Sequence, residues 1–86
     1  MPPKTFEDFV NEQAADMVVE LKAHGEKGGP GAWLDGDPTD WLTEAQQQLL
    51  KLGEALDEGT PEEVRKRAAH VCNFIMMTMQ TEMAAR

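Results

Sequence analysis

The stretch that decides the fold is TPEEVRKRAAHVCNFIMM, residues 60–77. It opens on Thr60, Pro61 and two acids. A threonine ahead of a helix accepts from the free N–H groups of the first turn. Proline suits the first helical position, where its missing donor is not needed, and Glu63 is placed to close a capping box. Val64, Ala68, Val71, Ile75 and Met79 then fall on one stripe at helical spacing. Cys72, Phe74, Met76, Met77 and Met83 widen it around most of the circumference. The pattern predicts a helix over 61–84. A helix apolar nearly all round is buried nearly all round. Three helices in 86 residues cannot enclose one of their own, so the third helix is expected at a subunit interface, in a homodimer or larger assembly. The alternative is one loose bundle with a methionine-rich groove for a partner. One feature sits badly with this helix: Arg65, Lys66, Arg67 and His70 lie in its early turns. Cations there oppose the helix dipole, although Glu62 and Glu63 soften the conflict.

Working outward, Asp37-Pro38 is a second cap-and-proline start, and Leu42, Ala45, Leu49, Leu52 and Leu56 follow on one stripe. A helix is predicted over 38–58. Near the N-terminus, Thr5 to Asp8 resembles a capping box. Phe6, Phe9, Val10, Met17, Val18 and Leu21 supply an apolar face to a first helix over about 5–24, with Gly25 as its stop. Residues 25–37, GEKGGPGAWLDGD, hold five of the seven glycines and read as a loop, with Trp33 and Leu34 pinning it to the core. The fold class is therefore all-α: one domain of three helices, completed into a bundle by homo-oligomerisation. A chain this short buries only about 60–65% of its unfolded surface, so a lone monomer is marginal.

Net charge is −8, carried unevenly. Residues 1–60 hold 13 acids against 4 bases, while residues 61–86 hold 3 against 4. Such a surface repels nucleic-acid backbones and anionic membranes and attracts a basic protein. Glu7, Asp8, Glu12, Asp16, Glu20, Asp35 and Asp37 are the candidate contacts with that partner. The single cysteine, Cys72, forms no intrachain disulfide and reads as a small packed hydrophobe. MPPKTFEDFV has no basic-then-apolar secretion pattern, and no apolar run nears the 18 residues of a membrane span. A cytoplasmic protein is expected. There is no Gly-x-x-x-x-Gly-Lys loop and no zinc-type Cys/His spacing, and the glycine loop follows no strand.

EEVRKRAAHVCNFIMM, after LLKLGEALDEGTP, resembles the MazG-like nucleoside triphosphate pyrophosphohydrolases. Ala68-Ala69, Val71, Asn73-Phe74 and Met76-Met77 carry the resemblance, and HGEKGGPGAW, residues 24–33, looks like the loop of short single-domain members. It covers about residues 17–80. The family is all-α, oligomeric and magnesium-dependent. Carboxylates on two facing helices, Glu-Glu-x-x-Glu and Glu-x-x-Asp, give Mg²⁺ the hard oxygen ligands it requires. Laid on this chain, those positions fall at Gln47, Gln48 and Lys51, and at Arg67 and His70. None is an acid, and neither lysine nor arginine offers a lone pair. The resemblance then accounts for the early cations of the third helix: they stand where metal-binding acids stood. A residual site would have to draw on Glu54, Glu63 and His70.

The expected function is that of a MazG-like pseudoenzyme without metal cofactor: an acidic protein-binding or inhibitor module. Short relatives are frequent in phage genomes, which implies a host or defence factor as target. The alternative is a nucleotide binder without turnover, with Lys51 and Arg67 on phosphates, Asn73 near the substrate and Lys27 or Trp33 closing the loop. A residual pyrophosphohydrolase is the third reading.

Overall fold

In a computed structural model, described here for residues 2–23 and 30–86, the chain folds as three α-helices with no strand among the described residues. They are α1 (Phe6–Ala23), α2 (Pro38–Glu58) and α3 (Pro61–Ala84). A 3-10 turn, Ala32–Asp35, lies within the segment expected to be plain loop. Each helix starts where local chemistry satisfies its free N–H groups. Thr5 and Asp8 form a reciprocal box, each backbone N–H donating to the other's side chain at 2.9 and 3.1 Å. Asp37 accepts from the Thr39 N–H at 2.8 Å, and Thr60 from the Glu63 N–H at 3.2 Å, each ahead of a proline. The Thr60 box is only half made, because the Glu63 side chain turns to Arg67 at 3.5 Å.

Helices α2 and α3 pack as an antiparallel hairpin across the turn Gly59–Thr60, and α1 lies on α3. The 3-10 turn is pinned to the open end of the hairpin. Trp33 Nε1 donates to Gln80 Oε1 at 3.3 Å, and the Trp33 carbonyl accepts from Trp41 Nε1 and Thr81 Oγ1, both at 3.2 Å. Trp41 in turn stacks on Phe74, with centroids 6.3 Å apart and 22° between planes. Gly36 permits this arrangement, since a Cβ there would stand 2.8 Å from the Trp41 ring.

The rows that become buried are not the apolar stripes of the sequence. On α3 the buried row is Ala69, Asn73, Met77 and Thr81, spaced four apart; on α2 it is Ala45, Gln48 and Ala55. The expected stripe members Leu42, Leu49 and Leu56 on α2, and Ile75 and Met79 on α3, are exposed. Small alanines let the two helices approach closely, and Asn73 and Thr81 enter because their polar atoms find backbone acceptors, the carbonyls of Met17 and Trp33. Helix α1 also departs from expectation. It buries no residue fully, Phe6, Phe9, Val10 and Val18 are exposed, and its covered side runs through Gln13, Asp16, Met17, Glu20 and Leu21. Its first described pairing with α3 is Asp16 with Arg65, and nothing from Phe6 to Glu12 is covered. No helix among the described residues is long and apolar enough to cross a membrane.

Candidate functional site

The three helices meet at a polar cluster. His70, on the second turn of α3 from its basic triplet, places Nδ1 3.3 Å from Gln48 Oε1 on α2 and Nε2 2.8 Å from Glu20 Oε1 on α1. One imidazole thus touches all three helices, with both side chains of the His70–Glu20 pair largely covered. Both facing atoms are acceptor oxygens. The ring satisfies both as imidazolium; as a neutral ring it does so only with the Gln48 amide turned so that its nitrogen faces Nδ1. A half-buried carboxylate beside a ring that can carry charge is the arrangement that keeps either group from being stranded.

One turn further along α3, Asn73 is 4% exposed. Its Nδ2 donates to the Met17 carbonyl of α1 at 3.1 Å, and its Oδ1 is buried without a hydrogen-bond partner among the described residues. These groups border a cleft of about 280 Å³ lined by Glu20, Leu21, Gln48, His70, Phe74 and Met77 together with Asn73. That volume is at the small end of ligand clefts. Glu20 is the sole carboxylate among the described residues lining it.

Of the five positions matched to the acidic motif, the structure brings two into contact, Gln48 and His70. Gln47 and Lys51 are exposed on the neighbouring flank of α2, and Arg67 is held by Glu63 on its own helix. The set does not fit a Mg²⁺ site. An amide oxygen and an imidazole are the facing donors, and the one nearby carboxylate, Glu20, is bonded to the imidazole. Glu54 is exposed and Glu63 pairs with Arg67, so His70 meets a different acid from the two considered for a residual site. Among the described residues, no three His, Cys, Asp or Glu side chains gather in a way that could hold a metal ion.

Five of the seven acids expected to contact a partner have work within the fold. Asp8 and Asp37 cap helices, Glu12 pairs with Lys4 at 2.7 Å, Asp16 with Arg65 at 2.8 Å, and Glu20 with His70. The Asp16 hydrogen bond, and then its charge, raise the Arg65 pKa above its ordinary value. Glu7 and Asp35 are exposed with no side-chain partner among the described residues. Trp33 is engaged with Gln80 rather than with the cleft, and Lys27 lies outside the described residues, as does Gly25. Gln80 and Thr81 are participants that the sequence did not single out, and Met17, expected on the apolar face of α1, takes part through its backbone carbonyl. The signal for Thr81 was the four-residue spacing of Ala69, Asn73, Met77 and Thr81, which reads as a helical row but not as an apolar one.

Compared with protein-family models, curated proteins and solved structures, the chain matches none.

Proposed function

We propose that this chain is a MazG-like helical protein without pyrophosphohydrolase activity that works by binding a basic protein partner through its acidic first half. The observation that carries the non-catalytic part is the contact between Gln48 and His70, with Glu20 closing the cluster. At the positions matched to metal ligands the chain presents amides, an imidazole and cations, and of these Gln48 and His70 join helices together. The binding part rests on charge: 13 acids against 4 bases in residues 1–60, with Glu7 and Asp35 exposed and uncommitted among the described residues. On the resemblance, a phage-encoded module directed at a host or defence factor fits this composition.

Incubation with a panel of NTPs and dNTPs, with Mg²⁺ or Mn²⁺, is expected to release no pyrophosphate. Turnover that tracks protein concentration refutes the non-catalytic reading. Capture of a basic protein should be lost in the Glu7→Lys/Asp35→Lys variant and above about 0.3 M salt, where exposed charges are screened within a few ångströms. Capture indifferent to both refutes the acidic surface.

Nucleotide binding without turnover is the second reading, favoured by the cleft beside Asn73 and Phe74. Neither Lys51 nor Arg67 lines that cleft, so phosphates would lie outside it. Calorimetric titration with nucleotides, with and without Mg²⁺, tests it: heat lost on Asn73→Leu supports it, and no heat from any nucleotide dismisses it.

A further inference from the structure

On the reading of this chain as a binder of a basic protein, on which this inference rests, we propose that the amino-terminal end of α1 seats a basic amphipathic helix of that partner on Phe6, Phe9 and Val10, beyond the start of α3. Asp16 pairs with Arg65 and Glu20 with His70, so α1 and α3 run in the same direction. Fourteen residues of α1 precede Glu20, and nine of α3 precede His70. At 1.5 Å per residue, α1 is the longer at this end by about 8 Å. Phe6, then Phe9 and Val10, then Gln13 and Met17 recur every three or four residues, so all lie on one face. Gln13 and Met17 are partly covered. Phe6, Phe9 and Val10 are 89, 57 and 65% exposed. The face that α1 lays on α3 therefore continues, and turns apolar, where α3 no longer runs beside it. A helix fits there because the seat prolongs one that a helix already occupies.

Charge selects the occupant. Glu7, Asp57, Glu58 and Glu62 stand exposed around this end, with no side-chain hydrogen bond or ion pair among the described residues. Lys4 and Arg65 beside it are already paired, with Glu12 and Asp16. A second copy would bring the same acids, and an anionic membrane would be repelled. Apolar side chains flanked by lysine or arginine meet both the exposed rings and the acids. The chain shows that contact in miniature. The Lys4 ammonium lies 5.4 Å from the centre of the Phe9 ring and 2.7 Å from Glu12 Oε1, so an aromatic face and a carboxylate grip one cation. Where α1 leaves α3, a cleft of about 470 Å³ opens between Lys4, Phe9, Glu12, Gln13, Asp16 and Arg65. A lysine of the partner would enter this cleft and displace Lys4 from Phe9 and Glu12.

Fluorescence anisotropy at low salt tests this, with the full chain titrated onto a labelled synthetic helix that carries leucine at i, i+3, i+4 and i+7 and lysine elsewhere. The chain should bind this peptide at least about 10-fold more tightly than the same peptide with serine for leucine or glutamate for lysine. Phe6→Ser/Phe9→Ser and Glu58→Lys/Glu62→Lys should each weaken binding at least about 10-fold. All four sites are exposed, so helicity by circular dichroism should persist. Lys4→Met removes the competing ammonium and should tighten binding about two- to fivefold. Leu49→Ser, at an exposed apolar position on α2, should change nothing. A wild type that does not bind the leucine–lysine peptide at about 100 µM overturns the proposal. So does binding that survives Phe6→Ser/Phe9→Ser, falls equally in Leu49→Ser, or weakens in Lys4→Met. Equal binding of the serine–lysine peptide, lost in Glu7→Lys/Asp35→Lys, refutes the apolar seat and leaves the acidic surface standing. Binding through Phe6 and Phe9 to neutral phosphatidylcholine vesicles in place of the peptide also refutes it.

Discussion

Replacing Asn73 by leucine should stabilise this protein. Asn73 is almost completely buried, yet only half of its amide is used: Nδ2 donates to the Met17 carbonyl at 3.1 Å, and Oδ1 is buried with no partner among the described residues. A buried acceptor stripped of water and left unpaired costs about 1–3 kcal/mol, whereas one ordinary hydrogen bond returns about 0.5–1.5 kcal/mol. Met17 lies inside α1, so its carbonyl keeps a helical partner when the amide is removed. Leucine branches at Cγ with as many heavy atoms as asparagine and adds apolar contact with Phe74 and Met77 across the cleft edge. The terms sum to a gain of about 1 kcal/mol, or a rise in Tm of about 4–8 °C for a domain of this length. Asn73→Ala loses the hydrogen bond and opens a void instead, so it should fall about 1–2 kcal/mol below wild type. Urea unfolding followed at 222 nm, at one fixed chain concentration because association shifts the midpoint, separates the two variants. If Asn73→Leu falls more than about 1 kcal/mol below wild type with an unchanged slope, Oδ1 has a partner and the reasoning fails.

Three further outcomes follow from the same structure. Thr60→Ala removes the α3 cap and should cost about 1 kcal/mol in the same unfolding assay, with Thr60→Gly costing only a few tenths. Gly36→Ala sets a Cβ 2.8 Å from a Trp41 ring fixed by its bond to the Trp33 carbonyl, so about 1–3 kcal/mol should be lost, with a changed near-ultraviolet tryptophan signal. Restoring acids at all five matched positions (Gln47→Glu, Gln48→Glu, Lys51→Glu, Arg67→Glu, His70→Asp) should create Mg²⁺-dependent stability that the wild type lacks. At ten times the dissociation constant this amounts to about 1.4 kcal/mol, and a melting curve indifferent to Mg²⁺ would count against the MazG-like reading.

The starts of all three helices were legible because each is decided within four residues: a threonine or aspartate, a proline or an acid, and the N–H groups they serve. The contents of the core were not. Periodicity weighs side chains by hydropathy, and by that measure Leu42, Leu49, Ile75 and Met79 outrank Ala69, Asn73 and Thr81. What admits Asn73 and Thr81 to the interior is a pair of backbone carbonyls 56 and 48 residues away in sequence, Met17 and Trp33. No local pattern carries that information. The partner of His70 was hidden in the same way, since Glu20 read as one acid among several on a solvated helix face until α1 was laid on α3.

The polar cluster also explains how α1 is held at all. With no fully buried residue, α1 gains little from apolar burial, and the described links to α3 are Asp16 to Arg65, Glu20 to His70, and the Met17 carbonyl to Asn73. The first is exposed on the Arg65 side and counts for little. The other two are screened less by solvent and fix the register of α1. On the proposed reading, a carboxylate at position 70 would face Glu20 across the same gap and would require a cation to reconcile the two acids. Histidine removes that requirement: the ring supplies the donor, and when protonated the countercharge, that Glu20 needs, and Gln48 fills the remaining nitrogen's demand. The exchange of acids for His70 and Gln48 is then a change of what binds the helices together, from an ion recruited from solution to side chains the chain carries itself. His70→Asp alone should therefore loosen α1 before it disturbs the hairpin, seen as faster hydrogen exchange in residues 6–23 with α2 and α3 still protected. Equal exchange in all three helices would show that α1 is held by something other than this cluster.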